Sequence, residues 1–224
     1  YGALFHRVPQ LPASAMVSLG NSLGSAVVAA SIAVLFGLLG ALVVVYGRGA
    51  LGHVFDLGLT LPLGTSAVTI GFGILLVLDE PPLDLRTSRW IIPVAHALIG
   101  IPFVMRTMVP VLRGIDPRLR DAAAVLGATP ARVRREVDAP FAAQGLVVAA
   151  GFAFAISLGE FGATAFIPRR IETLTAPVAI FRLLSTPGAL LRGQAMALSV
   201  VLMVLTASVA VLIETRRGSN QGTF

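Results

Sequence analysis

The sequence predicts an all-α protein, a polytopic transmembrane helical bundle of about five spans joined by one basic cytoplasmic loop. Of its 224 residues, 56% are hydrophobic, and the mean hydropathy is +0.88, more than an ordinary soluble domain carries. Only 12% of the residues are charged, and long stretches contain none. Because a membrane does not tolerate open strand edges facing lipid, these stretches are predicted to be helices.

About 20 apolar residues are needed to cross the hydrocarbon core, and five segments reach or approach that length. The predicted spans are 20–46, 57–78, 90–112, 141–166 and 189–213. In the second span, Pro62 and Gly64 predict a kink or irregular turn buried inside the bundle, and three prolines predict distortion of the third. We therefore expect one transmembrane domain, 1–213, and a cytoplasmic tail, 214–224.

The long polar stretch 113–140 separates the third span from the fourth. It contains six arginines: Arg113, Arg118, Arg120, Arg132, Arg134 and Arg135. Because cytoplasmic loops carry an excess of positive charge, this loop is predicted to be cytoplasmic and the N-terminus to lie outside. Membrane topology explains the arginines better than a nucleic-acid partner does, so we expect no nucleic acid.

Within this stretch, the residue pattern predicts two short helices around a turn. Asp116 and Pro117 suit the N-cap and first position of a helix, and Gly127 suits its C-terminal stop. Thr129 and Pro130 then begin the next helix. One apolar stripe is expected on the first helix, at Leu119, Ala122, Ala123 and Leu126. Such an element could dock into a groove on a partner; the alternative is a solvated basic loop that only follows topology.

The loop resembles the EAA signature of binding-protein-dependent ABC importer permeases, E-A-A-x3-G-x9-I-x-L-P. The residues at its positions are Asp121, Ala122, Ala123, Gly127, Val137 and Pro140. Asp121 replaces Glu, Val137 replaces Ile and Ala139 replaces Leu, which leaves the spacing intact. In that family the loop is a coupling helix that inserts into a cleft on a cytoplasmic ATPase. The resemblance therefore implies that these six positions couple the chain to an ATPase.

Other segments resemble ferric-iron and thiamine permeases and, less closely, sulfate-type permeases. They are Asn21 to Leu23, the proline-rich third span, Ser157 to Gly162, and Thr175 to Gly188. The resemblance implies a permease subunit of an ATP-driven importer in the bacterial cytoplasmic membrane, moving ferric iron or thiamine by preference and sulfate or another solute as the alternative. It also implies ABC ATPase subunits, an extracytoplasmic solute-binding protein and a second permease half or homodimer partner in the bilayer.

Permeases of this kind have a further span before the one placed first here. Because the sequence begins at Tyr1 without that span, we expect a truncated chain or the C-terminal half of a fused permease. The chain itself is expected to hold no cofactor, since a chain without Lys cannot form a Walker motif and ATP must be bound by the partner.

Glu160, near the outer end of the fourth span, is a candidate pore or gate residue together with Ser157 and Gly159. Alternatively, its carboxylate reaches the interface or pairs with Arg169 or Arg170. His96 is expected to be a hydrogen-bonded residue of the bundle rather than a ligand, and no metal site is predicted.

Several enzyme classes are excluded by motif. The chain has no Cys, and the signatures H-E-x-x-H and G-x-S-x-G are missing. We therefore predict that it is not an enzyme. Two rivals remain open: an intramembrane enzyme in which Glu160 and His96 meet across the third and fourth spans, and a membrane scaffold that only binds a partner through the loop.

Overall fold

The computed structural model describes residues 2–5, 8, 11, 14–47, 50–78, 88–167 and 173–218, and within these ranges every regular element is a helix. The α-helices are α1 Ala15–Tyr46, α2 Ala50–Thr60, α3 Ala67–Val77, α4 Ile91–Arg113, α5 Pro117–Val125, α6 Pro130–Val133, α7 Ala139–Gly159, α8 Gly162–Phe166, α9 Ala176–Leu184 and α10 Ala189–Gly218. Short 3₁₀ turns occupy Gly2–Phe5 and Leu61–Gly64, and a π-helical turn occupies Arg134–Asp138. The predicted all-α fold class is confirmed.

Four helical stretches in the described part of the chain are long and apolar enough to cross a membrane. They are α1, α4, the run Pro130–Phe166 that contains α7, and most of α10, Ala189–Thr215. Large apolar side chains on their outer faces are exposed, among them Leu35, Phe36, Met203, Val211 and Leu212. Large apolar side chains on an outer face are stable against lipid hydrocarbon but not against water. Their exposure here agrees with an integral membrane protein.

The predicted second span is not one helix. The chain divides at Leu61–Gly64 into α2 and α3, and the Thr65 hydroxyl donates to the Leu61 carbonyl at 3.2 Å. An irregular turn was expected here, but its predicted burial was wrong for this chain, because Gly64, Thr65 and Ser66 are all exposed. α4 contacts the turn, but it leaves these three residues exposed, whereas the sequence pattern had suggested a position inside the bundle.

The third predicted span forms one continuous helix, α4, despite its prolines. Pro93 lies in the first turn, where a backbone N–H has no partner within the helix in any case. Pro102 and Pro110 lie inside the helix. The expected distortion does not interrupt α4.

The core lies where α1, α4 and α7 cross. Small residues face one another there, so the backbones approach closely. A methyl group added at Gly37 of α1 would lie 2.6 Å from Cβ of Val104 on α4, and one at Gly100 would contact Ala33 and Ala153. The three helices therefore form the rigid centre of the bundle.

The bundle has two ends, which we call the loop end and the far end. At the loop end α1 and α4 finish and α7 begins; at the far end α1 and α4 begin and α7 finishes. At the far end the start of α1 holds the start of α9, because Asn21 Nδ2 donates to the Leu174 carbonyl at 3.0 Å and the Ser22 hydroxyl accepts from the Ala176 N–H at 2.7 Å.

The predicted tail begins as helix. α10 continues to Gly218, past the span end expected at 213, and it packs through Ile213 against Gly151 of α7. The rest of that tail lies outside the described residues.

Candidate functional site

The stretch between α4 and α7 starts with α5, and its first residues behave as local rules predict. Asp116 is the N-cap, and its Oδ1 accepts from the Arg118 N–H at 2.9 Å. Pro117 occupies the first helical position, where a missing N–H costs nothing. The predicted start of this helix is confirmed.

Gly127 ends α5 in a Schellman motif. Its φ is +83°, a left-handed conformation that favours glycine. The Ala128 N–H donates to the Ala123 carbonyl at 3.0 Å, and the Gly127 N–H donates to the Ala124 carbonyl at 2.9 Å, which is the paired pattern of this motif. The next helix then begins at Thr129, whose hydroxyl accepts from the Arg132 N–H at 3.4 Å.

The surface of α5 is open. All nine of its residues are described, and none is buried. Asp121, Ala122 and Gly127 are exposed, and Ala123 is half-buried. Val125 and Leu126 at the end of the helix are each 87% exposed. Exposed apolar side chains of this kind are typical of surfaces that contact another protein or a membrane.

Val137 and Pro140 belong to a helix rather than to a loop. The chain is helical without interruption from Pro130 through α7, with a π-helical turn at Arg134–Asp138 in which the Ala139 N–H donates to the Arg134 carbonyl. Pro140 has no N–H and its ring would collide with the carbonyl of Glu136, so a widened turn just before it relieves the clash. Val137 packs against the core, and Pro140 is exposed.

Arg120 joins three elements at the loop end. Its Nε donates to Asp138 Oδ1 at 2.8 Å, and its Nη2 donates to the Tyr46 hydroxyl at 3.0 Å. Its guanidinium carbon lies 5.8 Å from the centre of the Tyr46 ring, within reach of a cation–π contact. The hydrogen bond to Asp138 raises the pKa of Arg120 above its ordinary value.

Sequence reasoning did not single out this contact. Arg120 lies 18 residues from Asp138 and 74 from Tyr46, and neither separation carries a recognisable signal. Arg132 shows a contrast: its Nε lies 3.0 Å from both carboxylate oxygens of Glu136, four residues on, as an exposed pair within one helical stretch.

The far end contains the predicted pore or gate residues, and the structure separates them. Ser157 is buried, and its hydroxyl lies 2.8 Å from Nδ1 of His96. A hydroxyl used in this way is not available to line a pore, so this placement does not favour the expected role of Ser157. Gly159 is exposed, and half-buried Glu160 accepts from the Ala163 N–H at 2.9 Å. Arg169 and Arg170 lie outside the described residues.

His96 is hydrogen-bonded on both ring nitrogens. Besides Ser157, it contacts the Thr164 hydroxyl, with 2.6 Å between Nε2 and Oγ1, and it is buried. The expectation of a satisfied bundle residue is confirmed. The ring therefore joins α4, α7 and α8, while the Glu160 carboxylate is engaged with the backbone of α8. Among the described residues no group of three His, Cys, Asp or Glu side chains could hold a metal ion.

α3 packs on α8 through a contact that leaves no room for a side chain. A methyl group at Gly71 would lie 2.5 Å from the Ala163 carbonyl oxygen and 2.6 Å from the Ala163 Cα. Gly162 faces Ala67 and Val68 of α3 in the same junction. The far end is therefore closely packed.

Comparison of sequences places the chain beside transport permeases. It is 35% identical over 139 residues to the sulfate transport system permease protein CysT of Salmonella typhimurium, covering 58% of this chain and 49% of that protein. It is 32% identical over 155 residues to the putative 2-aminoethylphosphonate transport system permease protein PhnV of Salmonella paratyphi A, covering 69% and 57%. It is 41% identical over 96 residues to the molybdenum transport system permease protein ModB of Escherichia coli, covering 42% of each.

The chain spans about half the length of the curated relatives it matches. No family model matches it. The relatives are transport system permeases and not enzymes, which confirms the prediction of a non-enzymatic chain. The iron and thiamine preference finds no support, since the relatives' names carry sulfate, 2-aminoethylphosphonate and molybdenum.

Comparison of structures gives the same fold. A chain from a crystal structure of an amino acid ABC transporter with histidines superposes with a TM-score of 0.67, covering 90% of this chain and 91% of that one. The two are 19% identical, so this likeness speaks for the fold alone. The likeness agrees with an all-α polytopic membrane fold.

Proposed function

We propose that this chain is the permease subunit, or the C-terminal half of one, of an ATP-driven ABC importer in the bacterial cytoplasmic membrane. The observation that carries the proposal is α5: an exposed helix at the loop end, closed by Gly127 at positive φ, with the spacing of the EAA signature. Burying Val125 and Leu126, each 87% exposed, would favour docking by about 1.5–3 kcal/mol per side chain.

The six signature positions divide into two groups. Asp121, Ala122 and Gly127 lie on the open surface and would contact the ATPase, with half-buried Ala123 beside them. Val137 and Pro140 lie in and after the π-helical turn, so they would hold the docking helix in place rather than touch the partner. This division refines the expectation that all six act alike.

In the proposed cycle, two permease halves face each other and an external binding protein delivers the solute. ATP binds to separate nucleotide-binding subunits, whose closure pushes on α5 of each half. The halves then change between outward-open and inward-open arrangements around a central path. The exposed turn between α2 and α3 would be covered by neighbouring subunits in such an assembly.

For the solute we propose a small oxyanion in place of ferric iron or thiamine. Support comes from the relatives' names: sulfate and 2-aminoethylphosphonate are oxyanions, and molybdenum in neutral water is the oxyanion molybdate. At the far end, we assign Glu160 to holding α8 as part of an outer gate, since its carboxylate bonds to the Ala163 N–H. Exposed Gly159 forms the flank of that gate.

The test is ATP hydrolysis by the full-length protein, reconstituted in lipid with the ATPase and binding protein encoded beside it. Sulfate, molybdate, 2-aminoethylphosphonate, ferric iron and thiamine are added one at a time. Stimulation by one oxyanion supports both parts of the proposal. Stimulation by iron or thiamine keeps the importer and overturns the oxyanion. Silence with every solute in a confirmed assembly favours a scaffold.

A further inference from the structure

We propose that Arg120 is the strut that carries movement of α5 to the loop ends of α1 and α7. This inference rests on the proposed function, because it supposes that α5 is pushed by an ATPase. Arg120 is a positioning residue in this scheme, since it touches neither ATP nor solute.

The attachment of α5 to the rest of the bundle is weak apart from Arg120. None of the residues of α5 is fully buried, and Ala123 is half-buried, so apolar packing holds α5 only in part. At 3.6 residues per turn, Val125 lies about 140° and Ala122 about 200° around the helix from Arg120. Within the proposed docking surface, Ala122 and Val125 thus lie on the side of the helix away from Arg120. A partner can contact these two residues without displacing Arg120.

The contacts of Arg120 reach two other elements of the chain. Tyr46 is the last residue of α1, and Asp138 is the last residue of the π-helical turn that leads into α7. α4 is already joined to α5 through the short link 114–116. Arg120 supplies the connection to α1, which the chain does not make directly, and a second connection to the helical run of α7, which follows α5 after the link 126–129.

The contact between Arg120 and Asp138 is strong and partly shielded from water. The Arg120 and Asp138 side chains are 29% and 17% exposed, so water competes only in part for their 2.8 Å contact. Charge-assisted hydrogen bonds are shorter and about twice as strong as neutral ones, and the planar guanidinium directs Nε and Nη2 toward two partners at once. Displacement of α5 must therefore break both bonds or move α1 and α7 with it.

The experiment compares Arg120→Gln with wild type in the reconstituted complex. Solute transported per ATP hydrolysed is expected to fall about tenfold, within the usual range of coupling between protein sites. Co-purification with the ATPase and basal ATP hydrolysis are expected to stay at wild-type levels, because the docking surface is untouched.

The matched control is Arg132→Gln, which removes an arginine of the same loop whose ion pair with Glu136 stays within one helical stretch. It is expected to transport normally. Exchanging the pair, Arg120→Asp with Asp138→Arg, should restore at least part of the lost coupling, which a role in general folding would not predict.

The outcomes separate the two proposals. If wild-type complex shows no solute-stimulated hydrolysis, the proposed function is overturned. If wild type is stimulated and Arg120→Gln transports equally well per ATP, the strut alone is overturned. Loss of ATPase binding in Arg120→Gln, or no recovery in the exchanged pair, also overturns the strut, because Arg120 would then serve docking or folding.

Discussion

The loop end and the far end of this molecule both join helices, but they use different chemistry. At the far end the buried groups of His96, Ser157 and Thr164 connect α4, α7 and α8. At the loop end a partly exposed charged residue, Arg120, connects α5 to α1 and the start of α7, and no residue of α5 is fully buried. The far end therefore uses buried, closely packed contacts, whereas the loop end leaves the surface of α5 open, as the proposed docking requires.

This difference predicts whether a substitution at each end changes stability or coupling. In hydrocarbon an unpaired polar group has no water to replace its partner, and a crowded backbone has no space to relax into. At the loop end water can replace most contacts. Changes at the far end should therefore lower stability, and changes in α5 should alter coupling with little effect on stability.

The largest effect is expected from Gly71→Ala. The new methyl group would lie 2.5 Å from the Ala163 carbonyl oxygen, so α3 and α8 must separate. Overpacking of this kind costs about 1–3 kcal/mol. Thermal unfolding in detergent should show a lower Tm than wild type. Gly73→Ala is the matched control on the same helix, because a methyl group there meets nothing within 4 Å; equal Tm values for the two variants would contradict the contact.

A slightly smaller effect, of a different kind, is expected from Gly127→Val. The site is open, with nothing within 4 Å of an added methyl group, so the cost comes from the positive φ, about 1–2 kcal/mol for a residue with a Cβ. The end of α5 should rearrange, and solute-stimulated ATP hydrolysis should fall several-fold while insertion and Tm stay normal.

Asparagine tolerates the left-handed region better than valine, so Gly127→Asn should keep most of the activity. Normal transport by Gly127→Val would show that the shape of this turn does not matter for coupling. A large fall in its Tm would remove the contrast between the two ends.

The smallest effect is expected from His96→Leu. Two hydrogen bonds are lost, each worth about 0.6 kcal/mol on average in membrane proteins, so unfolding free energy should fall by about 1 kcal/mol. Equilibrium unfolding in SDS measures it. Adding Ser157→Ala should recover part of the loss, because the buried Ser157 hydroxyl then no longer lacks its ring partner. Unchanged stability in His96→Leu would mean that the network contributes nothing.

Local features were predicted well. The beginning of α5 at Asp116 and Pro117, its end at Gly127 and the next start at Thr129 all follow from groups within a few residues of one another. Such features need no knowledge of neighbouring helices, because the backbone N–H and C=O groups are satisfied within the same turn. The prediction of an all-α fold rests on the same kind of information, since apolar length decides it.

Predictions that depended on a neighbour were weaker. Sequence reasoning gave Ser157 as a candidate pore or gate residue and could not see that its hydroxyl lies 2.8 Å from His96, 61 residues away. It expected the turn in 57–78 to be buried, but Gly64, Thr65 and Ser66 are exposed. It had no means of pairing Arg120 with Tyr46.

The sequence by itself thus determined the helical class, the apolar stretches and the shape of the turn that ends α5 at Gly127, since hydropathy and backbone conformation are properties of short segments. Tertiary structure alone decided that α5 keeps an open surface, that Arg120 reaches α1 and α7, and that the far end is closely packed. These contacts join residues far apart in the chain, and their energies depend on distance and burial, which exist only once the helices have assembled.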